Sequence, residues 1–222
     1  YMHANGDLSW DEPDVSMPSG FSFDPKNPVP TIGGSLSAGE PVLIAGGYDQ
    51  RGDERFFGCE DSLPLATRHD ILVFRTEPIV TDVEIVGPLQ AVLWASSSAL
   101  DTDFTVKLID EYPPNADYPD GFALNLTDSI IRARYRGSRD TPEFLSAGEI
   151  YRFDIVMYPV GNLFAQGHRI RLDVSSSNFP RFDVNPNTGE PLGRHTRSVV
   201  AYNQIFHDPQ YSSHLILSVR DR

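Results

Sequence analysis

Serine, histidine and aspartate are all present, but not in the arrangement that nucleophilic catalysis needs. A nucleophile of the α/β-hydrolase type sits on a strained strand-to-helix turn, usually Gly-x-Ser-x-Gly, which presents its hydroxyl beside an oxyanion hole. The nearest approach is GGSLSAG at 33–39, and neither serine there has glycines at the required offsets. A triad of Ser96, Ser97 or Ser98 with His168 and Asp173 has the right chemical types. The serines, however, read as the edge of a strand and His168 as a turn residue. No catalytic residue is therefore assigned to this chain.

Metal chemistry fares no better. His3, His69, His168, His195, His207 and His214 show no ligand spacing such as His-x-x-x-His on a helix, and Cys59 has no thiol partner. Asp101-Thr102-Asp103 offers oxygens of the kind calcium takes, but lacks the following Gly and distal Glu of an EF-hand. Turn hydrogen bonding is the simpler role for these aspartates. No metal and no cofactor is expected.

Two further groups of residues have surface chemistry. Arg132, Arg134 and Arg136 alternate with Ile131, Ala133 and Tyr135, which predicts three arginines on one face of a strand. Their partners are cross-strand carboxylates, or alternatively an acidic patch on a neighbouring domain. Tyr48, Tyr112, Tyr118 and Trp94 are candidates for stacking sugars, although most aromatics here fall in alternating strands and read as core.

The elements that position these residues are strands. In GHRIRLDVSSSNFPRFDVNPNTG at 167–189, Ile170, Leu172 and Val174 point one way and Arg169, Arg171 and Asp173 the other. That period of two predicts a half-buried strand. It delivers a loop in which Asn178, Pro180, Asn185, Asn187 and Gly189 set turns, while Phe179 and Phe182 are expected to pin the loop onto the core. The asparagine side chains are expected to bond to backbone. Similar alternation runs through Phe104–Ile109, Tyr151–Met157 and Leu215–Val219, with turns read at Gly87-Pro88, Pro113-Pro114 and Ala147-Gly148. Val199–Phe206 reads as strand or short helix. Short strands with regular turn punctuation predict an all-β sandwich or barrel. Residues 1–47 hold Pro13, Pro18, Pro25, Pro28 and Pro30 and no periodic segment. They are read as an extended ribbon that wraps a body formed by 48–222, the whole of 1–222 being one domain.

Composition sets limits on partners. The chain has 222 residues, 40% of them hydrophobic, enough for one large domain with its own core. A net charge of −13 argues against nucleic acid and against anionic membranes as partners. Apolar runs such as Ile71–Phe74 are too short to span a bilayer. No signal peptide is read, and with Tyr1 rather than Met at its start the chain reads as a piece of something longer. A single cysteine allows a reducing compartment, and the cytoplasm is favoured over secretion. A homo-oligomer is allowed. Asn125-Leu126-Thr127 fits a short glycosylation sequon.

Several long segments in order carry a family resemblance. They are HANGDLSW at 3–10, FDPKNPVPTIGG at 23–34, DQR at 49–51, DILVFRTEPI at 70–79, SSSALDTDFTVKLIDEYP at 96–113, GFALNLTDSIIRARYR at 121–136, AGEIYRFDI at 147–155 and the 167–189 stretch. Together the chain resembles the C-terminal, non-catalytic domain of the X-Pro dipeptidyl-peptidase and cocaine-esterase group of serine hydrolases. The resemblance implies a jelly-roll β-sandwich like the galactose-binding fold, with two antiparallel sheets. It also implies an upstream α/β-hydrolase catalytic domain in the same polypeptide, acting on an ester or peptide-like amide. The segment after Thr31-Ile32-Gly33-Gly34 is then the candidate wall of the pocket. Gly34, Ser35, Leu36, Tyr48, Phe56 and Phe57 are the candidate pocket-wall or domain-docking residues. The alternative reading is a stand-alone carbohydrate-binding jelly roll.

Overall fold

In the computed structural model, which describes residues 1–40, 42–191 and 193–220, nine strands form two antiparallel sheets. The first sheet contains β1 (Ser19–Phe23), β8 (Ala201–Phe206), β3 (Val83–Ser97) and β6 (Tyr151–Phe164), in that order, with β9 (His214–Ile216) also pairing with β3. The second has the order β2 (Leu72–Arg75), β7 (Arg169–Ser175), β4 (Asp103–Tyr112) and β5 (Phe122–Arg132). The pairs β1–β8, β2–β7, β3–β6 and β4–β5 are nested hairpins rolled into a sandwich, the topology of a jelly roll.

The core follows from the period of two. On β6, Phe153, Ile155 and Met157 are buried while Arg152, Asp154 and Val156 are not. Leu89, Ala91, Leu93 and Ala95 of β3 join them from the same sheet, and Phe104, Val106, Leu108, Leu172 and Val174 from the other. Phe104 and Phe153 meet across the layer at 4.7 Å between ring centroids. Burying one such ring contributes about 2 to 3 kcal/mol.

Three local expectations change. Gly87-Pro88 is not a turn but lies inside the 15-residue β3, where the register against β6 shifts. Gly87 takes φ 131, and Pro88 has no N–H for the ladder, so the pair makes a bulge instead of ending the strand. The Val199–Phe206 ambiguity resolves as strand from Ala201. The arginine stripe does not stay on a strand: β5 stops at Arg132, and Ala133–Tyr135 is a single 3-10 turn.

The largest change concerns the outer face of the second sheet. Lys107 of β4 lies in register between Asp173 of β7 and Asp128 of β5, and all three are buried. The strand β7, predicted to be half-exposed, is covered on both faces. The cover is supplied by the N-terminal ribbon together with the segment that follows it, around residues 50–71. Val29 N donates to Ser177 Oγ at 2.9 Å, and Lys107 Nζ donates to Gln50 Oε1 at 3.1 Å. Gln50 Nε2 in turn donates to Ile32 O at 3.0 Å. Val29, Ile32, Phe56, Leu65 and Ile71 form a second, smaller core beside this polar layer. The same N-terminal stretch also supplies β1. There His207 is buried with its two ring nitrogens 2.9 Å from Ser16 Oγ and 2.9 Å from Ser19 Oγ.

Candidate functional site

The structure keeps the would-be triad apart. Ser96 Oγ is 3.4 Å from Gln204 Oε1, Ser97 Oγ accepts from Ala99 N at 3.1 Å, and Ser98 Oγ accepts from Tyr202 N at 2.9 Å. His168 Nδ1 is 2.8 Å from Asp110 Oδ1, and its ring stacks on Tyr112 at 4.2 Å. Asp173 forms a fork with Arg171, two hydrogen bonds of 2.7 Å each. The sugar-stacking candidates pack on other aromatic rings of the domain. Tyr112, Tyr118 and Phe122 form one cluster, and Trp94 packs on Tyr211. Asn125 is buried, so the sequon offers no accessible acceptor.

The carboxylates of Asp101 and Asp103 hold arginines. Arg134 Nε donates to Asp101 Oδ2 at 2.8 Å, and Arg132 donates Nε and Nη2 to the two oxygens of Asp103, each at 2.8 Å. Arg136 reaches Glu143 at 3.4 Å. Pairing within the domain is thus what these arginines do. Asp103 is lifted to about 6, chiefly by burial, with Arg132 and Asn185 pulling against it and Asp101 adding to it. Burial works against the charge of Arg132, yet the Asp103 bonds hold that guanidinium above its ordinary value.

The 175–189 loop is anchored by its asparagines more than by its two phenylalanines. Phe179 and Phe182 are only half-buried, whereas Asn178, Asn185 and Asn187 are buried. Asn178 Nδ2 donates to Asp128 Oδ2 at 3.1 Å, and Asn185 Nδ2 lies 2.8 Å from both Asp101 Oδ2 and Asp103 Oδ1. Two of the three also bond to backbone: Asn185 Oδ1 accepts from Asn187 N at 2.9 Å, and Asn187 Nδ2 donates to Val199 O at 2.8 Å. The acceptors are mainly buried aspartates, because a charged acceptor makes the stronger bond where water is excluded. Arg181 adds an ion pair to Asp128 at 2.7 Å. The Phe179–Pro180 peptide is cis, and Phe179 binds the ribbon through Thr31 N→Phe179 O (2.8 Å) and Phe179 N→Val29 O (2.9 Å).

The candidate docking residues lie on the ribbon side of this loop. Gly34 and Gly46 exchange backbone hydrogen bonds of 2.8 and 2.9 Å, closing the neck of a hairpin over 34–46. At Gly33, φ is 64, and a Cβ there would stand 2.4 Å from Gly46 O, so only glycine fits the neck. Beyond it the described residues from Ser35 to Val42 are exposed, Leu36 at 51% and Val42 at 47%. Phe57 is 48% exposed and meets Phe179 edge to face at 5.6 Å. These two rings line a cleft of ≈ 360 Å³ with Pro28, Pro30 and Leu63. Tyr48 is half-buried against Phe56. Phe56 itself, expected at the surface, is 4% exposed and belongs to the small core, so it is unavailable for docking.

A second apolar surface lies on the outer face of the first sheet. Val156 and Ile216 flank Gln90 in register, with Tyr158 and Val86 also exposed.

Residues 12–216 match the family described as the X-Pro dipeptidyl-peptidase C-terminal non-catalytic domain. Cocaine esterase from Rhodococcus sp. (strain MB1 Bresler) is 40% identical over 204 residues, which are 91% of this chain and 32% of that protein. A solved α-amino acid ester hydrolase superimposes with a TM-score of 0.83 at 31% identity, covering 99% of this chain and 36% of its own. An aminopeptidase from the marine sediment archaeon Thaumarchaeota archaeon gives a TM-score of 0.83 at 28% identity, covering 100% of this chain and 36% of its own. The chain thus spans about a third of the length of these relatives.

Proposed function

The chain belongs to the X-Pro dipeptidyl-peptidase C-terminal non-catalytic domain family, and we propose that it is the accessory β-sandwich of a larger serine hydrolase. In this reading, residues 1–222 act as one domain, with 1–47 wrapping 48–222. The domain packs on an upstream α/β catalytic domain that carries the nucleophile and its base. The parent reaction is acyl transfer to water, on an ester or a peptide-like amide. Relatives named as esterases and an aminopeptidase support a hydrolase over a carbohydrate-binding module.

One observation carries the placement of the docking face: the 34–46 hairpin presents exposed Leu36 and Val42 on a glycine neck, and Phe57, which meets Phe179, is exposed as well. Interfaces within a chain bury about 600 to 1,500 Å² with apolar groups near their centre. A projecting loop with apolar residues suits such a contact, and in this reading Gly34, Ser35 and Leu36 wall a pocket on the neighbour.

The full-length protein tests this. Leu36→Glu and Phe57→Glu should each lower kcat/KM and the melting temperature of the catalytic domain, whereas Val156→Glu on the opposite sheet should change neither. If Val156→Glu uncouples the domains and the other two do not, the docking face is the outer face of the first sheet and the hairpin assignment is wrong.

A further inference from the structure

Asp128 centres a buried polar cluster that is paired in charge but not in hydrogen bonds. Arg181, its side chain 6% exposed, places Nε 2.7 Å from Asp128 Oδ1. Asn178 Nδ2 donates to Asp128 Oδ2 at 3.1 Å, and Asn125 Nδ2 reaches the same oxygen at 3.5 Å. Only the amide nitrogens can donate to a carboxylate, so both amide oxygens are turned away from it. Among the described residues, Asn125 Oδ1, Asn178 Oδ1 and Arg181 Nη1 are buried without a hydrogen-bond partner. Buried polar groups in folded proteins are rarely left so, because each has given up its bonds to water.

The cluster lies at the neck of the 34–46 hairpin. The place a Cβ would take on Gly34 is 3.6 Å from Arg181 Nη1, 3.8 Å from Asp128 Oδ2 and 4.0 Å from Asn125 Nδ2, and these are its three nearest atoms beyond the chain neighbours. The space beside Gly34 is thus ringed by polar atoms, one of them the unpartnered guanidinium nitrogen. Charge there is balanced. Lys107 is in register between Asp128 and Asp173, so two cations, Lys107 and Arg181, face two carboxylates. A further cation would meet Arg181 and Lys107, and a further anion would meet Asp128 and two amide oxygens. The unmet valences are one donor and two acceptors. They fit a small neutral molecule that accepts one hydrogen bond and donates two.

We propose that this cluster binds one internal water, which accepts from Arg181 Nη1, donates to Asn125 Oδ1 and Asn178 Oδ1, and latches the neck of the hairpin to β5 and to the 175–189 loop. Buried waters characteristically make about three hydrogen bonds to polar groups that the protein alone leaves unpaired. The latch gives the hairpin a fixed foot although its outer residues are exposed. It belongs to this domain alone and does not depend on what the hairpin docks against.

High-resolution crystallography and NMR of the 222-residue chain test it. The expected result is one ordered water within hydrogen-bond distance of all three atoms. In solution the Asn125 and Asn178 side-chain amides should show nuclear Overhauser contacts to a long-lived water. The double variant Asp128→Asn/Arg181→Met removes the donor and keeps the buried charges balanced. It should speed hydrogen exchange about tenfold at the Gly34 and Gly46 amides, which bond across the neck, as expected for the loss of about one hydrogen bond. Exchange at Leu93, in the ladder between β3 and β6, should not change. If the double variant does not fold, the wild-type density and Overhauser contacts decide alone. An ion in the site, no ordered molecule there, Arg181 Nη1 bonded to a protein oxygen, or unchanged exchange at both glycines would overturn the assignment.

Discussion

Asn185 donates its side-chain amide to Asp101 Oδ2 across 2.8 Å, although the two residues are 84 positions apart. The same nitrogen is 2.8 Å from Asp103 Oδ1, and Asn185 Oδ1 accepts from Asn187 N at 2.9 Å. That last bond closes the turn in which Asn187 takes φ 64. Since Asp101 and Asp103 also hold Arg134 and Arg132, one block of buried polar contacts ties the 175–189 loop, the start of β4 and the end of β5 together.

Asn185→Ala should therefore destabilise the chain by about 3 kcal/mol, because two buried carboxylates lose a donor at once. Asn185→Asp should be worse, since it places a third carboxylate beside them. Urea denaturation midpoints provide the check, and a midpoint for Asn185→Ala equal to wild type would remove the anchoring role.

Phe179→Ala should cost less, about 1 to 2 kcal/mol, because its ring is only half-buried. The order of the two variants is the informative part. A larger loss for Phe179→Ala than for Asn185→Ala would mean that apolar packing, not the asparagine–aspartate contacts, holds the loop.

Acidity should act on Asp103 in the reverse of the usual carboxylate sense. Its folded value of about 6 lies above the ordinary 3.8, so between these values the native state binds more protons than the unfolded chain. Its contribution to stability is fully present below about 3.8 and is lost as pH rises through about 6. The stability of wild type minus that of Asp103→Asn should fall between about pH 4 and pH 6 and level off above. His207, whose value burial depresses, has the opposite dependence, but it is common to both proteins and cancels. A difference that grows with pH would show that Arg132 and Asn185 outweigh burial.

The isolated chain should be catalytically silent. Incubated with activated acyl esters and with an X-Pro dipeptide amide, it should give no turnover above a denatured control. Saturable hydrolysis abolished by a serine-directed inhibitor would place a nucleophile within these 222 residues.

Much of the architecture is legible in the sequence. The period of two in Tyr151–Met157 and Phe104–Leu108 marks strands and their core faces, because side chains alternate across a pleated backbone whatever the surroundings. The missing Gly-x-Ser-x-Gly is equally a property of the sequence. The interleaving of Asn178, Asn185 and Asn187 with prolines identifies an ordered loop, but not its anchors.

What only the tertiary structure decides is which alternating faces meet water. Arg171, Asp173 and Lys107 have the pattern of a solvent-facing side and are buried, because Val29 of the ribbon and Gln50 just beyond it, both more than fifty residues away in the chain, lie over this face. Phe56 and Phe57 are neighbours of one residue type, yet one enters the small core and the other stays exposed. Alternation is local, carried by the geometry of one strand. Burial depends on what packs above that strand, and here the covering layer and the aspartates that anchor Asn178 and Asn185 come from distant parts of the chain.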